Sequence, residues 1–139
     1  MRSIFSTGFS PAAINTALLL LRVSTGAFML THGLPKLTNM LAGTSKFGDP
    51  LGLGNELSLG LTVFAEFVCS IFLMLGLATR LALIPLIITM AVAGFVVHAN
   101  DAFKIKELAF IYLIIYLTLF ITGAGKYSLE SLLGSKRKR

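Results

Sequence analysis

The sequence predicts an all-α integral membrane bundle of four transmembrane helices with both termini cytoplasmic, and three observations point there. The 139 residues are 55% hydrophobic and only 13% charged, whereas an average soluble domain is about 25% charged. Mean hydropathy is +0.86. The apolar residues gather into four long runs, of the order of the roughly 20 residues that cross a bilayer as a helix. Four such runs and their connections use nearly the whole length, so residues 1–139 form one membrane domain.

The first span is expected over about 11–34, with Pro11 as a helix-starting proline and Pro35 marking the exit. Residues 36–57 are rich in Gly, Asn, Ser and Thr and hold Asp49-Pro50 and Gly52-Leu53-Gly54. This is turn chemistry, and it predicts an external loop. The second span, about 58–77, contains Glu66 and closes at Gly76, after which Thr79-Arg80 makes a tight connection. The third, about 81–97, begins near Pro85, which a first turn tolerates, and ends in His98-Ala99-Asn100-Asp101. The fourth runs over about 108–121, followed by a basic cytoplasmic tail at 134–139.

Orientation follows from the excess of Lys and Arg on cytoplasmic segments. With both ends inside, that side holds seven basic residues (Arg2, Arg80, Lys126 and Lys136 to Arg139) against four outside (Lys36, Lys46, Lys104 and Lys106). The net charge of +6 owes much to the terminal basic run. Placed just after a membrane segment, such a run grips anionic headgroups at about 1 kcal/mol per basic residue, and no folded surface remains for a nucleic-acid footprint. The one cysteine, Cys69, lies in an apolar run and has no second thiol to pair with; it reads as a buried, inert side chain.

Charges inside a bilayer cost about 2.5–3.5 kcal/mol each on insertion scales, so each marks a functional site by default. At 1.5 Å per residue, Arg22 and Glu66 each lie roughly 15 Å from the cytoplasmic end of their spans. They are expected to meet as a buried pair that locks two helices together, with Glu66 also a candidate proton acceptor or ligand contact. His32 and His98 fall near the outer ends of their spans, with Lys36, Asn100, Asp101 and Glu107 beside them. The patch reads either as interfacial polarity satisfied by water or as a mouth where imidazole and carboxylate exchange protons with a small redox ligand. Axial haem ligation by the two histidines is not favoured and no metal site is expected, because no metal-binding spacing accompanies them. Phe28, Phe64, Phe67, Phe72, Phe95, Phe110 and Phe120 read as lipid-facing or core packing, and Gly26, Gly33, Gly60, Gly76 and Gly94 as points of close helix approach. No base partner at nucleophile spacing supports hydrolase chemistry.

Taken in order, Leu21-Arg22, then His32-Gly33-Leu34-Pro35-Lys36, then Glu66 with Leu75-Gly76-Leu77-Ala78-Thr79-Arg80, then Glu107 and Gly123-Ala124-Gly125-Lys126-Tyr127-Ser128-Leu129-Glu130 form a pattern. It resembles the DoxX family over roughly residues 15–133, with Glu130 where the family's usual ending has Asp. The resemblance implies a small four-helix bacterial inner-membrane protein, multi-pass, related to the membrane subunit of thiosulfate:quinone oxidoreductase. It carries over Arg22, His32, Lys36, Glu66, Arg80 and Glu107, with Arg80 read as a structural charge at a membrane boundary.

These observations combine into one expectation: the membrane subunit of a redox system, a quinone-linked oxidoreductase subunit with no independent activity, binding a quinone or similar lipid-soluble carrier between helices. Arg22 and Glu66 would form the pair, and His32, Lys36, His98 and Glu107 would line the outer mouth. A partner protein of a redox complex would supply electrons, and homo-oligomers are open to such a chain. The competing expectation is a non-catalytic membrane scaffold for a partner enzyme. A third, less favoured, is a small-anion transporter using Arg22.

Overall fold

The computed structural model describes residues 7–44 and 46–136. Arg2 and the last three basic residues of the tail lie outside the described residues. Among those described there is no strand, and four helices are long and apolar enough to span a membrane: α1, Pro11–Leu41; α2, Asn55–Leu75; α3, Thr79–Val97; and α4, Phe103–Thr122. A short α5, Leu129–Lys136, follows. The helices run up and down, so both ends lie at one face, here the terminal face. The 42–54 and 98–102 connections lie at the other, the loop face.

Three expected boundaries are corrected, the first being that α4 opens at Phe103 rather than near 108, which takes Glu107 into the helix. Helix α1 continues through Pro35 for almost two more turns, to Leu41, so the connection expected over 36–57 is 42–54 and Lys36 belongs to the helix. Likewise Pro85 lies inside α3, which starts at Thr79. In lipid the helix is the backbone's main means of satisfying itself, and neighbouring helices tolerate an internal proline.

Each helix packs mainly on the next in sequence, while α1 touches α4 only slightly. Helix α1 turns one narrow stripe inward: Arg22, Thr25, Gly26, Met29 and Gly33, the i, i+3, i+4, i+7 spacing of a single helical face. Two glycines set how closely α2 approaches. A Cβ on Gly26 would strike the Met74 side chain and come 3.0 Å from the Ser70 carbonyl oxygen, and one on Gly33 would sit 2.7 Å from the Glu66 carbonyl group. Small residues permit such contact where no hydrophobic force draws helices together. The core is completed by Met29, Cys69, Leu73, Leu83, Leu86, Met90, Tyr116 and Leu119. Large apolar side chains such as Leu20, Phe28, Ile88, Ile114 and Ile121 remain outward-facing, which is the lipid-facing arrangement.

Two stretches depart from regular α geometry. Phe64–Cys69 in α2 and Ala93–Val97 in α3 are π-helical. Such wide turns are rare and recur at functional sites, because one extra residue per turn re-aims the side chains.

Candidate functional site: a chamber at the loop face and a clamp at the terminal face

The charges singled out by sequence separate into two groups at opposite ends of the bundle. Arg22 and Glu66 do not meet. Because Gly26 faces Ser70 and Met74 while Gly33 faces Glu66, Arg22 falls level with Gly76, where α2 has already ended. Eleven residues of α1 separate Arg22 from the Glu66 level, about 16 Å at 1.5 Å per residue. The two antiparallel helices do not start from a common plane, which the depth estimate assumed.

At the terminal face Arg22, 1% exposed, donates through one terminal nitrogen to the Ala124 carbonyl at 3.0 Å and through the other to the Tyr127 carbonyl at 2.8 Å. Arg80 donates to the carbonyls of Phe120 and Ile121, at 3.0 and 3.2 Å, closing the C-terminal end of α4. A cation there also complements the helix dipole. The Glu130 carboxylate accepts the amide of Thr79 at 2.9 Å, capping α3, while its own amide donates to the Gly76 carbonyl at 2.9 Å. The Asn15 side-chain oxygen accepts the Lys126 amide at 2.7 Å. The run Gly123 to Glu130 is therefore a strap clamped to three helices. Gly76 is doubly constrained: its φ of 65° is left-handed, and a Cβ there would strike the Arg22 guanidinium and Ser128. Arg22 is withdrawn from the ligand-binding set, and an anion path through it loses its key residue.

At the loop face Glu66 pairs instead with Lys36, Nζ to Oε2 at 2.5 Å, with 4% of the Glu66 side chain and 30% of the Lys36 side chain exposed. Lys36 continues the α1 stripe one turn beyond Gly33, and the π turn presents Glu66 toward it. The pair lines a cavity of about 320 Å³. Its walls are Ser58, Leu61 and Thr62 of α2 with Ile88, Thr89, Val92, Ala93 and Val97 of α3. Its roof is Phe47, Pro50, Leu51 and Leu53 of the connection, and His98 lies at its edge. Both π segments contribute to it.

The roof is pinned by Asp49, whose carboxylate accepts from the amides of Leu53 and Gly54, each at 2.8 Å, and from the Ser58 hydroxyl at 2.9 Å. These bonds, the Gly54 amide first, hold the Asp49 carboxyl below its ordinary value, against an opposing effect of desolvation. His98 Nδ1 lies 2.7 Å from Asp101 Oδ2, a contact that orients the ring.

The chamber thus gathers Lys36 and His98 of the expected mouth, but not His32 or Glu107, and adds Glu66, which was expected in the pair with Arg22. His32 is exposed on α1 and meets the Tyr112 ring edge-on, 6.3 Å between centroids. Glu107 is exposed on α4. Sequence reading missed the roof residues and the Ser58, Thr62 and Thr89 hydroxyls. Asp49 followed by Leu53-Gly54 was the available signal for the pinned roof, whereas the π turns left no mark in the sequence.

A bundle of four lipid-facing helices, three of which line a chamber holding one ion pair, defines a multi-pass membrane protein. The DoxX family model matches residues 17–99, and the chain belongs to that family. The matched region contains Arg22, His32, Lys36, Glu66, Arg80 and His98, while Glu107 and the strap lie beyond it. A Haemophilus influenzae protein described as uncharacterized is 33% identical over 122 residues, covering 80% of this chain and 86% of its own. A second match, also to a Haemophilus influenzae protein so described, is 32% identical over 73 residues, 50% of this chain and 48% of that protein. No solved structure matches.

Proposed function

We propose that this chain is the membrane subunit of a redox system, seated in a bacterial inner membrane with both ends cytoplasmic. In this reading it binds a quinone or similar lipid-soluble carrier in the loop-face chamber and works with a partner protein. One observation carries it: a mostly apolar chamber of about 320 Å³ holds a single ammonium–carboxylate pair. That volume lies at the lower end of the roughly 300–1,000 Å³ of small-molecule sites, which are apolar with a few placed polar groups.

The donor set fits a quinone ring. Its flat body suits the Leu61, Ile88 and Val92 walls, and its carbonyls need donors, which the Lys36 ammonium and the Thr89 hydroxyl provide, while the Thr62 hydroxyl donates to the Ser58 carbonyl. When bound, a quinone supplies two-electron, two-proton chemistry. Glu66 holds or releases a proton beside the ring, with Lys36 compensating its charge. His98, oriented by Asp101, stands at the edge of the chamber toward the loop-face water. Cys69 has no second thiol with which to store electrons, so electrons come from the partner.

The test is purification in mild detergent with organic extraction and quantification of quinone, beside a Glu66→Gln variant shown to be folded by circular dichroism and gel filtration. Stoichiometric quinone in the parent, lost in the variant, is the expected result. Quinone-free protein that still co-purifies with a soluble enzyme overturns this reading in favour of a scaffold.

A further inference from the structure

The chamber is not the only cavity on the α2–α3 seam. A second, of about 390 Å³, lies nearer the terminal face and is lined only by apolar residues, among them Phe64, Val68 and Phe72 of α2 with Leu81, Ile84 and Pro85 of α3. The two belong to one groove. On α2, Leu61 lines the chamber, and Phe64, Val68 and Phe72 continue the same face at steps of three, four and four residues. On α3, Leu81 and Pro85 of the trough lead at steps of four, three and four into Ile88 and Val92 of the chamber. Residues so spaced share a helix face. Leu61, Phe64, Leu81 and Ile88 are each about half exposed or more, at 50, 49, 68 and 55%. Within spanning helices such exposure faces hydrocarbon, so the groove opens sideways to the bilayer while Asp49 pins the roof over its aqueous end.

We infer that the α2–α3 seam is a single amphiphile site: the polar head of the ligand sits at Lys36–Glu66, and a long hydrocarbon tail lies in the apolar trough toward the terminal face. The inference rests on the proposed function and adds the ligand's class, a tailed membrane carrier that enters from the lipid rather than a water-soluble ring. Leu61 to Phe72 spans eleven residues, about 16 Å of groove at 1.5 Å per residue. A free ring would leave that length to lipid. The contrast in lining matches an amphiphile's two ends: a charged pair and three hydroxyl residues in the chamber, none in the trough.

The test titrates the full chain, in lipid-depleted mild detergent, with two benzoquinones of identical ring, one bearing a long isoprenoid tail and one a methyl group. Bound ligand is measured against protein-free micelles. The parent is expected to bind the tailed compound at least about tenfold more tightly, within the discrimination that apolar pockets give. Val68→Phe, which fills the trough from α2, and Ile84→Phe, which fills it from α3, should each erase that preference and leave the methyl compound's affinity unchanged. Equal binding of both compounds by the parent overturns the tail groove while leaving the ring site standing, and marks the trough as a phospholipid acyl seat. Equal weakening of both compounds by both variants also overturns it. Failure of the parent to bind either compound removes the ring site and the groove together.

Discussion

Lys36 of α1 and Glu66 of α2 are joined across the helix interface, and the two partners differ in their access to water: 30% of the lysine side chain is exposed against 4% of the glutamate. Removing one partner of a buried pair strands the other, at about 3–5 kcal/mol. The asymmetry predicts which loss is worse. Lys36→Met leaves a carboxylate with no route outward and should approach that figure, whereas Glu66→Gln leaves an ammonium that can turn to the mouth and should lose clearly less. Thermal unfolding of both variants in one detergent measures the order, and equal destabilisation would refute it.

Gly33 predicts a positional effect. Its missing Cβ is where the Glu66 carbonyl group stands, 2.7 Å away, so Gly33→Ala must push α2 aside. Overpacking of this kind costs about 1–3 kcal/mol. Ligand retention in the chamber should fall with it, because the displaced turn carries Glu66. Gly60, beside which a Cβ meets nothing within 4 Å, is the control: Gly60→Ala should leave ligand retention unchanged.

Arg22 predicts a loss of stability with no loss of ligand. Arg22→Met leaves the carbonyls of Ala124 and Tyr127 without their donor, and the buried one, of Ala124, costs about 1–3 kcal/mol when unsatisfied. Arg22→Lys should rescue little, since one ammonium cannot reproduce a planar fork that spans two carbonyls. A variant that stays as stable as the parent, or that loses bound ligand while fully folded, would contradict the separation of clamp from chamber.

The Asp49 carboxyl is held below its ordinary value by the amides and hydroxyl it accepts from, so the sign of its pH dependence is fixed. Its contribution is fully present above the unfolded value of about 3.9 and is lost as pH falls through the lower folded value. The roof should therefore stay pinned at neutral pH and loosen only in acid. Asp49→Asn should loosen it at pH 7. Amide exchange at Leu53 and Gly54, followed from pH 7 downward in parent and variant, checks both statements.

The four spans were legible because lipid imposes a simple rule, apolar length, that survives reading without a structure. The proline boundaries were not, since Pro35 and Pro85 act as helix ends in water but sit inside helices supported by neighbours. The charges were visible, but their partners were only half so. Lys36 and Glu66 were each noticed but not joined, because the pairing depends on helix register, which Gly26 and Gly33 set. The partners of Arg22 and Arg80 are backbone carbonyls, which no side-chain letter announces. The run from Gly123 to Glu130 stood out as a pattern, yet its purpose appears only when the helix ends it secures are in place.

The clamp also imposes an order on the birth of the molecule. Arg22 lies 102 and 105 positions before the two residues whose carbonyls receive it, so α1 enters the membrane long before its arginine has anything to hold. At translation rates of about 5–20 residues per second, that wait is about 5–20 s. Throughout it the guanidinium relies on water, headgroups or an attending protein, and the bundle cannot lock until the chain beyond α4 emerges. A nascent chain halted before Ala124 would hold all four spans and still have an unfastened first helix, so arrested-chain lengths on either side of that residue separate insertion from closure.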